Sequence, residues 1–214
     1  CDRLIHMLDD TFDVHFLPVE KVTYSPEHMD RPGSQTLSYG EAVARWTGFG
    51  EAAARKGVRR ILLLNAHGGN SPVLAIAVQE LRVQVSQLAV ATSWTRFVRN
   101  SGIVSDHEEM FGIHGGDLET SVMMALYPEK VQHEHTGDFP NLQEILALDI
   151  THLREYGPHA FGWKAADLNP TGVTGNAGAA TVEKGERLLA LAVDGLKELV
   201  EDMARFDLAL LRDA

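Results

Sequence analysis

The 214-residue chain has 30 Asp and Glu against 19 Lys and Arg, so its formal net charge is −11 at neutral pH. This acidity argues against nucleic acid or an anionic membrane as a partner, because both attract a basic surface. The length suits one sizeable domain, and no apolar run reaches membrane-spanning length. A single cysteine, Cys1, excludes an internal disulfide, and no signal peptide is visible, which favours a cytoplasmic protein.

Apolar runs alternate with helical patterns along the first half of the chain. Three runs predict short strands, the last two of them buried, at residues 13–19, 58–65 and 87–94. Two helices are predicted beside them. One covers residues 40–57 and ends at Gly57, and the other has Ser71 as its N-cap and Pro72 at its first position.

The second half contains a helix after Asp117, which is positioned to cap the stretch LETSVMMALYP. Residues 132–182 are rich in loops, and a last helix over about residues 183–207 has one apolar face. Strands that alternate with helices predict an α/β fold with a mainly parallel sheet and helices on both faces. In such a sheet, ligands bind at the carboxyl ends of the strands.

The stretch NAHGGN, residues 65–70, stands at the carboxyl end of a predicted strand. A strand-to-helix turn explains its two glycines, because glycine tolerates positive φ. Such a turn does not explain a histidine, His67, that is flanked by two asparagines. A tight turn and one half of a binding site are therefore both open interpretations of this stretch.

A second histidine precedes two glycines in HGGDLETS, residues 114–121. Glu119 falls in the first turn of the predicted helix, where the positive end of the helix dipole favours an ionised carboxylate. An ionised carboxylate beside a histidine is a donor set of zinc and manganese sites. A capping carboxylate with a surface histidine is the simpler interpretation of this motif alone. The neighbouring HEEMF, residues 107–111, lacks the second histidine of an H-E-x-x-H zinc motif.

Taken together, these stretches resemble one family. RRILLLNAHGGNSP, HGGDLETSVMMALYP and SPEHMDRPGSQTL are similar to segments of the creatininase (creatinine amidohydrolase) family, as is the closing NPTGVTGNAGAATVEKGE. The pairing of H-G-G-N with H-G-G-x-x-E-T-S is the specific part of the resemblance. The similarity runs from about residue 2 to about residue 206.

The resemblance implies a three-layer α/β/α sandwich, formed by a single creatininase-like domain over residues 1–214 and commonly assembled as a homo-hexamer. It also implies a centre of two divalent metal ions, zinc, manganese or iron, that hydrolyses amide bonds of small molecules. The family's amino-terminal strand and its E-x-H-G motif, which supply two of the expected ligands, are missing from this sequence.

Candidate site residues follow from the resemblance one position at a time. Asp2 matches the aspartate that bridges the metals, while His67 and Glu119 match further metal ligands. His114 matches a histidine that polarises the substrate or shuttles a proton. Trp94 aligns with an aromatic residue that lines the substrate pocket of creatininases proper.

Other positions are expected to contact the substrate or to determine which substrate binds. His28, in SPEHM, either lines the pocket or sits in a surface loop, and Gly68 and Gly69 of the H-G-G-N loop are expected to contact the substrate. Creatininases proper have a ligand glutamate where this chain has Gly69, and a pocket tryptophan where it has Met110. These differences argue against creatinine itself as the substrate.

The function predicted in this way is hydrolysis of a C–N bond in a small, cyclic or formyl amide by a metal-activated hydroxide. A metallopeptidase of the mycofactocin-precursor type would use the same metal centre with a more open cleft. A non-catalytic binding or scaffold protein with a degenerate metal site is the third hypothesis. It predicts neither stoichiometric metal nor hydrolysis.

Overall fold

A computed structural model describes residues 1–8 and 12–212, which fall into two compact units. Unit 1 comprises Cys1–Met29, Gly33–Phe97 and Ala192–Ala214, and unit 2 comprises Asp30–Pro32 and Val98–Leu191. The α-helices are α1 (Asp2–Met7), α2 (Tyr39–Ala54), α3 (Ser71–Val85), α4 (Asp106–Phe111), α5 (Asp117–Leu126), α6 (Leu142–Asp149), α7 (Ala165–Leu168) and α8 (Val182–Arg205). The strands are β1 (Arg60–Asn65), β2 (Leu88–Ser93), β3 (Asp138–Phe139) and β4 (Gly175–Asn176).

The sheet of unit 1 pairs β1 with β2 in parallel, with Arg60 opposite Leu88 and Asn65 opposite Ser93. This confirms the strands predicted at residues 58–65 and 87–94. The helix α3 forms the crossover between them, so both strands end at the same edge of the sheet. The H-G-G-N loop leaves β1 at that edge.

Helices cover both faces of this sheet. On one face, Leu63 and Ala91 pack against a buried cluster from α2 and α3: Ala42, Trp46, Val73, Leu74 and Ala77. On the other face, Leu64 packs against a second cluster from α1 and α8: Leu4, Val193 and Leu196. Because successive side chains of a strand point to opposite faces, unit 1 is a three-layer α/β/α arrangement, as expected.

The helix α2 is bounded by sequence signals that are visible in the structure. Ser38 and Glu41 form a capping box at its start, in which each side chain bonds the other residue's backbone N–H. The helix ends at Ala54, somewhat before the predicted end. Gly57 forms the turn into β1 with a φ of +86°, a conformation that glycine adopts without strain.

Unit 2 is organised around the carboxylate of Glu108, a residue that is 3% exposed. Its Oε1 accepts a hydrogen bond from the backbone N of Asp117 at 2.6 Å, and its Oε2 accepts one from the backbone N of Asn176 at 2.8 Å. Three glycines leave no room for a Cβ beside this carboxylate: Gly112, Gly116 and Gly175. Glu108 thereby joins α4 to the first turn of α5 and to β4.

The prediction of a strand at residues 13–19 is wrong. The segment is irregular, and Leu17 and Val19 are 55% and 70% exposed. A strand is stable where a neighbour accepts and donates its backbone hydrogen bonds, and no strand within residues 1–8 and 12–212 pairs with this segment.

The predicted last helix is confirmed as α8, which contributes buried side chains from one face: Leu188, Ala192, Val193, Leu196 and Met203. The apolar residues recur at the spacing of a helix that packs on one side only. Across the described ranges, no helix combines the length and the apolar character needed to cross a membrane.

Candidate functional site

His67 follows β1 directly and is held by the asparagine that ends that strand. The side chain of Asn65, a residue 5% exposed, accepts a hydrogen bond from the backbone N of His67 at 3.1 Å and donates one to its carbonyl oxygen at 2.7 Å. A carboxamide is both donor and acceptor, so it satisfies both backbone groups of one residue. This fixes the backbone from which the imidazole projects.

The second asparagine of the motif, Asn70, ties the loop to residues 23 and 24. Its Oδ1 accepts a hydrogen bond from the backbone N of Tyr24 at 3.0 Å, and its Nδ2 donates to Thr23 Oγ1 and Asn65 Oδ1, both at 3.1 Å. Asn70, rather than Ser71, is the N-cap residue of α3. The two asparagines form a buried network, a feature that a plain turn does not require.

The segment that Asn70 holds brings Glu27 and His28 beside His67. Glu27 Oε1 lies 2.7 Å from His67 Nε2 and 3.6 Å from His28 Nε2. One donor atom from each of the three side chains lies within 4.8 Å of the others, and the three form the His67 cluster. The exposed fractions of these side chains are 12% for Glu27, 18% for His28 and 29% for His67. A carboxylate with two imidazoles is a donor set that zinc, manganese and iron accept.

The electrostatics of the His67 cluster favour a cation. Burial raises the pKa of Glu27, but the His67 imidazole, the backbone of Glu27 and the Ser25 hydroxyl outweigh this and lower it to about 2, so the carboxylate is ionised. Within the described residues, the buried His67 Nε2 makes no hydrogen bond, although Glu27 Oε1 is 2.7 Å away. The two atoms are close without the alignment of a hydrogen bond, as when both face one cation. The residues present therefore fit a bound divalent metal.

Gly69 leaves room for the donor atoms of this cluster. A Cβ on Gly69 would lie 2.7 Å from His67 Nε2 and 2.8 Å from Glu27 Oε1, closer than real Cβ atoms approach other groups. Gly68 is exposed and begins a short turn, Gly68–Asn70. The predicted contacts of Gly68 and Gly69 with a substrate stay predictions.

A cavity of about 230 Å³ adjoins the carboxyl ends of β1 and β2. Its walls combine polar groups with an apolar side of α3: Asn65, Ser71, Leu74, Ala75, Val78, Ala91, Thr92, Ser93 and Arg96. Asn65 belongs both to this cavity and to the network that holds His67. The lining does not include Glu27, His28 or His67.

In unit 2, the second HGG stretch brings His114 and Glu119 together. Gly115 N donates a hydrogen bond to Glu119 Oε2 at 2.8 Å, and His114 Nδ1 lies 3.8 Å from the same oxygen. The side chains of His114 and Glu119 are 43% and 41% exposed. In the part of the chain that the structure describes, neither belongs to a cluster of three donor side chains.

Asp117 is not the cap of α5, contrary to the sequence-based prediction. It is the first helical residue, and Gly116 occupies the N-cap position without a side-chain bond. The Asp117 carboxylate instead accepts hydrogen bonds from Ser121 Oγ at 3.0 Å and Lys184 Nζ at 2.5 Å. The acceptor at this helix end is Glu108, which reaches it from α4.

Asp2 and Trp94 are the remaining predicted site residues. Asp2 is exposed in the first turn of α1 and is not part of the His67 cluster. Trp94 is partly buried and directly follows β2, at the edge where ligands bind in parallel sheets. The roles of Asp2 as a bridging ligand and of Trp94 as a pocket aromatic stay predictions.

The sequence did not predict Glu27 as a member of the site, nor the hydrogen bonds by which Asn65 and Asn70 hold it. The available signal was the adjacent acid and histidine in SPEHM, since neighbouring donors can face one ion. Nothing in the sequence shows that this loop lies beside NAHGGN, because the link is made by the Asn70 side chain.

Comparisons with known proteins identify relatives of this chain. The Creatininase family model, described as creatinine amidohydrolase, matches residues 1–200. The chain is 28% identical over 184 residues to the creatinine amidohydrolase of Pseudomonas putida, a match that covers 80% of this chain and 66% of the relative. It is 27% identical over 177 residues to the mycofactocin precursor peptide peptidase of Mycolicibacterium smegmatis, covering 83% and 62% respectively.

A solved structure, a mutant creatininase of Zn-Zn type, is 26% identical with a TM-score of 0.59, over 80% of this chain and 67% of that one. The chain spans between half and two thirds of the length of the curated relatives it matches. The structural likeness confirms the predicted fold, and the family model covers most of the sequence. The chain belongs to the creatininase family.

Proposed function

We propose that this protein is a metal-dependent amidohydrolase that cleaves a C–N bond of a small amide. The observation that supports this most directly is the His67 cluster, in which donor atoms of one carboxylate and two imidazoles lie within 4.8 Å of one another. Family membership supplies the reaction class, since the Pseudomonas putida relative is a creatinine amidohydrolase.

The cofactor in this proposal is a divalent metal, zinc, manganese or iron, with two ions in each chain. The creatininase of Zn-Zn type that the chain resembles supports this choice. Asp2, His67 and Glu119 are the ligands that the family resemblance implies. Of these, His67 is the residue whose surroundings in the structure fit a cation.

A bound divalent cation supplies an activated hydroxide and polarises a carbonyl group. The chain itself must then give a proton to the leaving nitrogen, and His114 is proposed for this step. Its imidazole is open to solvent and lies 3.8 Å from the Glu119 carboxylate. Imidazole is suited to the role because it gains and loses a proton near neutral pH.

The proposed substrate is a small molecule, and neither nucleic acid nor a membrane is expected as a partner. Trp94, His28, Gly68 and Gly69 are the candidate substrate contacts that the resemblance implies, and none of them lines the cavity of about 230 Å³ beside Asn65. Similarity to the mycofactocin precursor peptide peptidase favours a metallopeptidase as the second candidate. Assembly into a homo-oligomer, a hexamer by resemblance, and a cytoplasmic location belong to the same proposal.

The test combines elemental analysis for divalent metals with hydrolysis assays on cyclic amides, formyl amides and short peptides. We expect stoichiometric metal and metal-dependent hydrolysis of a small amide, both lost in His67→Ala and both kept in His15→Ala. His15 is an exposed histidine outside the cluster and serves as the matched control. Metal with cleavage of peptides alone would favour the peptidase, and absence of both metal and hydrolysis would favour the scaffold hypothesis.

A further inference from the structure

We propose that Glu27 and His28 bind the same divalent metal ion as His67, which makes a site of one carboxylate and two imidazoles within unit 1. The inference rests on the metal of the proposed function and names ligands for it. The family resemblance implies a different partner set for His67 and gives Glu27 no role. The evidence is the placement of the three side chains.

The donor atoms are spaced as ligands of one ion. Ligand atoms that share a zinc-like cation lie about 3 Å apart, because each bond to the cation is about 2 Å long. Glu27 Oε1 is 2.7 Å from His67 Nε2 and 3.6 Å from His28 Nε2, so the carboxylate stands between the two imidazoles. The rings themselves are 5.8 Å apart between centroids and tilted by 49°, so they do not stack.

A simple ion pair between Glu27 and His67 is the competing explanation. It requires a ring N–H aligned with the carboxylate, and the 2.7 Å contact lacks that alignment. It does not involve His28, whose Nε2 lies 3.6 Å from the same Glu27 Oε1. One cation bound by two neutral imidazoles and one carboxylate accounts for all three positions.

The loop that contains Glu27 is held by its own hydrogen bonds. Ser25 Oγ donates a hydrogen bond to Glu27 Oε1 at 3.0 Å, and Ser25 N donates to Thr36 Oγ1 at 2.8 Å. Upstream, Thr23 and Tyr24 are bonded to Asn70. A metal site whose ligands are already ordered binds without a large cost in conformational entropy.

The test measures Co²⁺ binding to metal-free protein by calorimetry and by the visible absorption bands of the ion. Glu27→Gln keeps the size of the side chain and an oxygen for Ser25, and it removes the charge. We expect it to weaken Co²⁺ binding at least about 100-fold, since outer partners of a metal ligand already account for 10–100-fold. Glu20→Gln is the matched control, because Glu20 pairs with Arg45 at 2.9 Å, outside the cluster.

His28→Gln should weaken binding and change the Co²⁺ spectrum, with His15→Gln as its control. Circular dichroism and thermal unfolding show whether each variant is folded. Unchanged affinity and spectrum in folded Glu27→Gln and His28→Gln would overturn the inference and leave the amidohydrolase proposal intact. Absence of Co²⁺, Zn²⁺ and Mn²⁺ binding by the unaltered protein would overturn both. Metal binding through Glu27 without amide hydrolysis would overturn only the proposed activity.

Discussion

The two H-G-G stretches have the same three residues, but the acidic side chain near the histidine comes from a different part of the chain in each. In unit 1, the acid near His67 is Glu27, which belongs to another loop and faces the imidazole at 2.7 Å. In unit 2, the acid near His114 is Glu119, five residues along the same chain, and it already accepts a hydrogen bond from Gly115. The first imidazole is partly buried, and the second is 43% exposed.

Two of the buried acids of unit 2, Glu108 and Asp117, hold the fold. Glu108 binds two backbone N–H groups, and Asp117 binds a hydroxyl and an ammonium group. Glu27 has solvent access, and in the part of the chain that the structure describes the neighbouring His67 Nε2 makes no hydrogen bond. An H-G-G motif therefore indicates a function only together with the side chains that contact it. Variants can distinguish the acids that stabilise the fold from the acid that is proposed to bind metal.

Glu108→Ala is expected to have the largest effect on stability. It leaves the backbone N–H groups of Asp117 and Asn176 buried without an acceptor, at a cost of about 3–5 kcal/mol in the free energy of unfolding. Urea unfolding would measure the loss, with exposed Glu129→Ala as a control that stays within about 0.5 kcal/mol. A loss below about 1 kcal/mol would mean that water replaces the carboxylate and that Glu108 does not organise the unit.

Within residues 1–8 and 12–212, the buried Glu155 makes no ion pair, so its carboxyl group should make the stability of the protein depend on pH. Burial raises its pKa to about 7, against which the Asn141 side-chain hydrogen bond acts. The unfolded chain loses this proton near pH 4.5, so between about pH 4.5 and 7 the folded state binds more protons. The free energy of unfolding therefore falls as pH rises through that window, by roughly 2–3 kcal/mol from this group.

Glu155→Gln should remove that part of the pH dependence, because glutamine stays neutral and retains an oxygen for Asn141 Nδ2. Urea unfolding at pH 5 and pH 8 would show it: the unaltered protein loses stability relative to the variant on going to pH 8. Equal changes in both proteins would contradict a raised pKa at Glu155.

Asn70→Ala is expected to lower the free energy of unfolding by about 2 kcal/mol, since Tyr24 N and Asn65 Oδ1 lose a buried partner. It should also weaken metal binding about tenfold or more, because the network aligns His67 with the loop of Glu27. Gln87→Ala is a matched control: this buried amide binds Gly50 O and Val58 O, away from the cluster. Similar loss of metal affinity in both variants would assign the effect to general destabilisation.

These contacts also show what the sequence could and could not predict. The strands at 58–65 and 87–94 and the last helix were predictable, because buried strands and amphipathic helices have local patterns. His67 was found through its motif. Glu27 beside His67 was not, since it depends on a hydrogen bond between residues 70 and 24. The acceptor at the start of α5 was missed for the same reason: Glu108 is nine residues away in sequence.

Gly69→Ala should have the smallest effect on stability, below about 1 kcal/mol, and a clear effect on metal. The new Cβ would meet the ends of the Glu27 and His67 side chains, which can rotate away. The fold survives that movement, but the donor atoms separate, so Co²⁺ affinity should fall at least about tenfold. Calorimetry and urea unfolding on one preparation would measure both quantities.

Gly116 occupies the same position in the second H-G-G stretch as Gly69 does in the first, so the two alanine variants can be compared directly. A Cβ there would meet the buried Glu108 carboxylate and, at 3.0 Å, the backbone oxygen of Thr174, neither of which can move freely. Gly116→Ala should therefore lower stability by about 2–3 kcal/mol and leave metal affinity at the His67 cluster unchanged. If the two alanine variants behaved alike, the proposed difference between Gly69, which adjoins the metal-binding side chains, and Gly116, which adjoins the buried Glu108, would be wrong.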